Sequence, residues 1–373
     1  MYRIGITCYP THGGSGVVAT ELGKLLAEKG HEVHFITYNM PFRLGKFYRN
    51  ICYHEVEVNV YPLFQYPPYD LSLASKMAEV AEQKKLDLLH VHYAVPHAVC
   101  ALLAKQMVGD SLKVVTTLHG TDITVLGYDR SLHKAIRLGI ESSDAVTAVS
   151  DSLIGETRRL FHINRPITRV YNFVDPRVYY PRHVDRLRSE YASDTEKILL
   201  HISNFRKVKR VDDVVKVFHA VQSHIPAKLL LVGEGPEWSE VRQQVNQLGL
   251  EDRVMFLGKQ DEVAQIISLA DVLLLPSEKE SFGLVALEAM ACGVPTVASN
   301  VGGLPEVVEH GVTGFLSDVG NTDDMAANAL KLLTDRDLFD QFRKQCIERA
   351  HTRFAAQKIV AEYEAVYDHV VAR

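Results

Sequence analysis

Short apolar runs alternate along the whole chain with segments whose apolar residues recur at helical spacing. Strands separated by helices in this way build parallel sheets with helices on both faces. In the first half the runs predict strands at 3–8, 32–37, 55–61, 86–92, 113–118, 145–149 and 168–171. Val18, Leu22, Leu25 and Leu26 give one apolar face to a helix between the first two, and Gly30 stands where a glycine ends a helix. The rhythm restarts in the second half. Strands are predicted at 198–202, 228–232, 254–257, 272–275, 296–298 and 314–316, and helices at 212–224, 237–248, 261–268 and 284–291. A restart implies a second doubly wound α/β domain rather than one longer sheet.

Between the halves, 172–193 carries Pro176, Pro181 and many charges, as a linker does. At the end, Ile359, Val360, Tyr363, Val366 and Tyr367 mark an amphipathic helix with no strand after it, placed to pack across the domain junction. The expected division is 1–171 plus the C-terminal helix at about 356–373, and 172–355.

Composition narrows the class. A chain of 373 residues with 47% hydrophobic and 23% charged residues suits two globular domains. A net charge of −5 gives no electrostatic footprint for nucleic acid. No apolar run reaches the roughly 18–20 residues of a membrane span, so no stable membrane insertion is expected. Met1-Tyr2-Arg3-Ile4-Gly5-Ile6-Thr7 opens a strand rather than a signal peptide, which makes the cytoplasm the expected location. Cys8, Cys52, Cys100, Cys292 and Cys346 form no CxxC pair and are expected as buried thiols in a reducing compartment. Cys8 lies close to a glycine-rich segment, so its modification is expected to interfere with activity. The sequence sets no oligomeric state, and a homo-oligomer is compatible with it.

Four segments at predicted strand ends carry candidate chemistry, and ligands of open α/β sheets bind outside those ends. Gly13-Gly14-Ser15-Gly16 opens a helix, where bare backbone amides favour anions, though its spacing is not that of a dinucleotide fingerprint. His119-Gly120-Thr121-Asp122 offers an imidazole to a hydroxylated ligand, or a histidine that only braces its loop. Arg206, Lys207, Lys209 and Arg210 put four cations within five residues, suited to a diphosphate leaving group or to a solvated surface. Glu280 and Glu288 flank Ser281-Phe282-Gly283-Leu284, a helix start whose amides suit phosphate while the carboxylates suit sugar diols.

The Glu280–Glu288 block, the Gly13–Gly16 loop, the basic strand end and Val301-Gly302-Gly303-Leu304-Pro305-Glu306 resemble the large family-four retaining glycosyltransferases, over essentially the whole chain. The resemblance implies the GT-B fold, two Rossmann-like domains facing a cleft that close around the substrates, with the acceptor on the first domain and the nucleotide sugar on the second. Finer matches narrow it: Gly5 to Pro10, His90 to His97, Thr117 to Gly127 and Ser203 to Arg210 are similar to the members that transfer N-acetylglucosamine from UDP-N-acetylglucosamine to L-malate, opening bacillithiol biosynthesis.

The residue roles follow from that resemblance. It puts Glu288 on the ribose, Glu280 on the sugar hydroxyls, His119 near O6, Asn204 and Lys209 at the diphosphate, and Gln260 beside uracil. His119, Glu280 and Lys209 are the expected catalytic groups. Gly14, Gly16, Arg206, Ser281, Phe282, Gly283 and Leu284 complete the donor set. Ser15, Tyr93, Thr117 and Arg137 form the acceptor set, with hydroxyls to donate and a guanidinium to grip a carboxylate. The resemblance implies same-face attack without a protein nucleophile. No metal or other cofactor is expected, because none of the four candidate segments carries an Asp-x-Asp or a His/Cys cluster.

Two departures stand out. Asn204-Phe205 replaces the family's Gly-Arg, which leaves open which cation faces the phosphates, and Asn172-Phe173-Val174-Asp175 puts an aromatic where the family has glycine. Two other readings stay open. One is a transferase with a lipid, polysaccharide or other small polar acceptor, favoured by the basic and aromatic segment 42–49. The other is a non-catalytic nucleotide-sugar sensor on the same fold.

Overall fold

The computed structural model describes residues 1–11, 13–45, 47–58 and 61–372. The chain divides into two compact units, Met1–Asn172 with Ala356–Arg373, and Phe173–Ala355.

The first unit holds strands β1 (Arg3–Thr7), β2 (Glu32–Thr37), β3 (Ile51–Glu55), β4 (Leu88–His92), β5 (Lys113–Leu118), β6 (Ala145–Ala148) and β7 (Thr168–Arg169). They form one parallel sheet in the order β3-β2-β1-β4-β5-β6-β7. Ile4, Ile6, Leu88, Leu89 and Val91 are wholly buried, as central strands covered on both faces must be. Its helices are α1 (Gly14–Glu28), α2 (Tyr69–Lys84), α3 (Val99–Val108), α4 (Thr121–Thr124), α5 (His133–Ser142) and α6 (Asp151–Phe161).

The second unit repeats the plan with β8 (Lys197–Ile202), β9 (Ala227–Val232), β10 (Val254–Gly258), β11 (Val272–Leu275), β12 (Thr296–Ser299) and β13 (Gly314–Ser317), in the order β10-β9-β8-β11-β12-β13. Helices α7 (Asp185–Arg188), α8 (Val211–Gln222), α9 (Trp238–Gln247), α10 (Val263–Leu269), α11 (Leu284–Ala291), α12 (Leu304–Val307), α13 (Thr322–Thr334) and α14 (Arg336–Arg353) surround it. One apolar face of α8, with Val214, Val217, Phe218 and Val221, meets Leu229, Leu231, Val272 and Leu274 of the sheet. The last helix, α15 (Ala356–Val371), returns to the first unit, where Ile359, Val360, Tyr363 and Tyr367 are buried and the helix packs on α1 and β5. Strand order reverses direction beside β1 in the first sheet and beside β8 in the second. Each reversal opens a crevice at the strands' carboxyl ends, between β1 and β4 and between β8 and β11.

Two expectations need correction. The strand expected at 55–61 lies earlier, at Ile51–Glu55, paired from Val33↔Ile51 to Thr37↔Glu55. Val56 and Val58 continue an alternation that mimics a strand, but 56–58 are outside it, and 59 and 60 lie outside the described residues. The segment 172–193 is no loose linker. Val174 bridges to Ala355, Asp175 and Tyr179 are buried, and Arg188 donates to the Leu269 and Glu196 carbonyls and to Asp271. In the basic and aromatic segment 42–49, position 46 lies outside the described residues and the others form no helix. Among the described residues, no helix is long and apolar enough to cross a membrane.

Candidate active site

In the second unit the crevice between β8 and β11 is held by an ion pair. A short turn after β8, Lys207–Lys209, presents Lys209, whose ammonium donates to Glu280 Oε2 at 2.6 Å from the loop after β11. Both side chains keep about a fifth of their surface exposed, 22% and 19%, so the pair is open to a ligand. The structure also sorts the four cations. Arg210 turns away to the buried carboxylate of Asp213, at 2.6 Å from Nε, while Arg206, Lys207 and Asn204 are exposed.

The loop before that pair is fixed from below. His201 Nδ1 faces the Leu274 carbonyl at 2.8 Å, and burial pushes its pKa down to about 4. The neutral ring therefore donates from Nδ1 and accepts the Ser203 hydroxyl proton at Nε2, 2.8 Å away. The Ser203 oxygen in turn accepts the Phe205 N–H at 3.2 Å. Close backbone approaches lock both loops. A side chain at Gly233, φ +113°, would stand 1.8 Å from the Ser203 carbonyl oxygen, and one at Gly302, φ +57°, 1.9 Å from that of Glu280.

Gly283, with φ +96°, opens α11, and Ser281 and Leu284 beside it are partly exposed. Phe282 contributes only its backbone there, because its ring is buried edge-on against Phe354 at 5.9 Å. Glu288, one turn into α11, is buried and accepts the Tyr179 hydroxyl at 2.6 Å. Sequence reasoning missed Tyr179, which lies in the stretch read as a linker. Gln260 is exposed after β10, its amide donating to the Leu257 carbonyl at 2.6 Å.

The crevice of the first unit has a different chemistry. Ser15, in the first turn of α1, donates to the Tyr93 hydroxyl at 3.0 Å, which joins the loops after β1 and β4. No side chain caps α1 at Gly13; Gly14 is exposed and Gly16 buried. Tyr93 sits at φ +89°, a strained backbone for a bulky residue, and its N–H donates to the Thr117 carbonyl at 2.9 Å. His119 Nε2 lies 2.7 Å from His92 Nδ1, and its ring leans on Tyr93 at 5.6 Å. Burial pushes the His119 pKa down to about 3, so the imidazole is neutral at physiological pH. Asp122, rather than His119, braces the loop: its buried carboxylate accepts the N–H groups of Ala94 and Gly120 at 3.0 and 2.9 Å, and burial raises its pKa.

Two acceptor residues stand apart. Thr117 is wholly buried, its hydroxyl 2.7 Å from both His90 Nε2 and Thr147 Oγ1, so it supports Tyr93 by its backbone instead of offering a hydroxyl. Arg137 is exposed on α5 and pairs with Glu141 at 3.1 Å, although α5 packs against the turn that follows Tyr93. A depression of about 380 Å³ lined by Glu55, Glu57, Ser72, Lys76 and Glu79 shares no residue with either crevice.

Comparison with known proteins gives this geometry a lineage. Residues 12–178 match the family model for Glycosyltransferase Family 4, and residues 184–353 the model for glycosyl transferases group 1. The chain is 60% identical over 370 residues to the N-acetyl-alpha-D-glucosaminyl L-malate synthase of Bacillus anthracis, covering 99% of this chain and 97% of that protein. Among solved structures it resembles sucrose-phosphate synthase from Thermosynechococcus elongatus, at a TM-score of 0.84 and 24% identity over 100% of both chains. It also resembles Anabaena HepE in complex with UDP and glucose, at a TM-score of 0.85 and 21% identity over 99% and 100%. The fold is GT-B, and at this identity along nearly its full length the chain belongs to the family-four glycosyltransferases.

Proposed function

We propose that the chain transfers N-acetylglucosamine from UDP-N-acetylglucosamine to L-malate, with retention at the anomeric carbon, as the opening step of bacillithiol biosynthesis. The observation that carries this reading is the 60% identity, over 99% of the chain, to a relative named for the synthesis of N-acetylglucosaminyl malate. The bond from the sugar C1 to the β-phosphate breaks, and its electron pair leaves with UDP. The malate hydroxyl attacks on the same face, and its proton passes to the departing phosphate.

Residues of the second unit hold the donor. Lys209 exchanges its bond to Glu280 for one to the diphosphate, which frees Glu280 for the sugar hydroxyls. Arg206, Asn204 and the amides from Ser281 to Leu284 add donors, Glu288 takes the ribose and Gln260 the base. Residues of the first unit hold malate. Ser15, Tyr93 and the first-turn amides of α1 suit one carboxylate and Arg137 the other. Neutral His119 donates to the sugar without adding charge. Lysine, arginine and amides carry the phosphate charge in place of a metal, so activity is expected to survive EDTA. Loss in EDTA restored by a divalent ion would contradict this.

The deciding experiment measures UDP release with UDP-N-acetylglucosamine and a panel of acceptors, and reads the product's anomeric configuration by NMR. An α-linked malate product is expected. Transfer to inositol phosphate, glycerol or a lipid instead would overturn the acceptor and spare the donor assignment. Binding without any UDP release would make the chain a sensor.

A further inference from the structure

Behind His119 stands a second histidine that neither the composition nor the donor and acceptor sets assign. His92 ends β4 and is wholly buried. Its ring lies face to face with that of His90 at 4.5 Å and meets that of His119 end to end, with centroids 5.0 Å apart. Its carbonyl accepts His97 Nδ1 at 2.5 Å, which fixes the backbone beneath the ring. Its Nδ1 lies 2.7 Å from His119 Nε2, whereas its Nε2 is buried without a hydrogen-bond partner among the described residues.

That asymmetry decides where the protons sit. Both rings are neutral, since burial lowers both pKa values and the neighbouring histidines lower that of His92 further. Only one of the two facing nitrogens carries hydrogen. If His119 were the donor, the His92 proton would have to sit on Nε2, as an N–H sealed away from any acceptor. If His92 donates from Nδ1, Nε2 keeps only a bare, buried lone pair. Buried donors without a partner are the rarer and costlier case. The second arrangement puts the His119 proton on Nδ1. Among the described residues that nitrogen makes no hydrogen bond, and His119 keeps some surface open.

We propose that His92 is a positioning residue that holds His119 as the Nδ1–H tautomer, so that His119 meets its ligand as a hydrogen-bond donor. The role parallels the outer partners that orient functional histidines elsewhere. Its functional half rests on the assignment of His119 to the donor sugar.

Nitrogen-15 imidazole spectra of the full chain without substrate test the tautomer directly. A protonated Nδ1 and a bare Nε2 on His119 are expected in wild type and in His92→Asn, whose amide supplies a donor in the same direction. His92→Phe should lose this pattern. With UDP-N-acetylglucosamine and malate, His92→Phe should lower kcat/KM about tenfold to a hundredfold, the scale known for the outer partners of metal-bound histidines, with UDP affinity unchanged and most activity recovered in His92→Asn. A wild-type His119 protonated on Nε2 overturns the proposal, whatever the substrates are. Wild-type kinetics in His92→Phe overturns it as well, if His119→Ala is impaired. Full activity in His119→Ala instead sinks the sugar assignment, even where the spectra match. Should His92→Phe fail to fold, the wild-type spectrum and His92→Asn still decide.

Discussion

The two units share one plan and differ in what they place at its focal point. In each, the loops after two neighbouring strands meet where strand order reverses. In the second unit the meeting is ionic, Lys209 with Glu280, and more cations stand exposed beside it. In the first it is neutral, Ser15 with Tyr93, backed by histidines whose charged forms burial disfavours. One fold therefore supports two kinds of binding wall. A dianionic diphosphate needs mobile positive charge that can leave one partner for another. A hydroxylated ligand needs fixed dipoles of known direction.

The sharpest way to break this contrast is to remove the charge. Lys209→Ala should reduce turnover about 100- to 1,000-fold, the range for losing a donor to a developing anion, and Lys209→Arg should recover part of it. Near-normal turnover of Lys209→Ala would mean that the ion pair is structural. Next in size, Glu288→Ala should weaken UDP binding by calorimetry about tenfold to 150-fold, as a lost charged hydrogen bond does. Tyr179→Phe should weaken it less, since it leaves the carboxylate in place. Normal UDP affinity in Glu288→Ala would remove it from the ribose.

Acid should separate the units without mutation. His90, His92 and His97 of the first unit are wholly buried with lowered pKa values, and partly exposed His119 has a lowered value too, against His201 alone among the wholly buried histidines of the second. The folded pKa lies below the unfolded value of 6.5, so the unfolded chain takes up protons that the folded chain refuses. Their stabilising contribution is thus full above about 6.5 and falls as pH drops towards the folded values. Each such ring adds up to about 1.4 kcal/mol per pH unit in that window. Hydrogen exchange at pH 5 against pH 7.5, corrected for intrinsic rate, should loosen β4 and β5 more than β8 and β11. Equal loosening would count against the contrast. The smallest effects belong to the acceptor side. Ser15→Ala and Arg137→Ala should raise the malate KM about five- to tenfold with UDP affinity intact, and an unchanged KM would take either residue out of the site.

Much of the fold was legible because central parallel strands are continuous apolar runs. Glu32–Thr37, Lys113–Leu118 and Val272–Leu275 fall where the pattern puts them. The edge strand β3 was not, since its half-buried Ile51-Cys52-Tyr53-His54-Glu55 has neither a run nor a clean alternation, while the valines after it do. Site motifs were legible where glycine and charge punctuate strand ends. Their partnerships were not. Lys209 and Glu280 are 71 positions apart and meet only because β8 and β11 are neighbours. Thr117 was misread because its face is decided by His90, Thr147 and the cover of α15, a helix some 240 residues later.

That last helix has a consequence for how the molecule is made. The side chains of Tyr363 and Tyr367 are wholly buried, and the latter's hydroxyl lies 2.7 Å from His90 Nδ1. They complete a unit whose other strands were all synthesised before residue 173. On the ribosome, the first unit must therefore wait, with the inner face of β4 and β5 uncovered, while the whole second unit is translated and free to fold. The order of assembly is the reverse of the order of synthesis, and a chain stopped just short of α15 would carry a finished second unit and an unfinished first one.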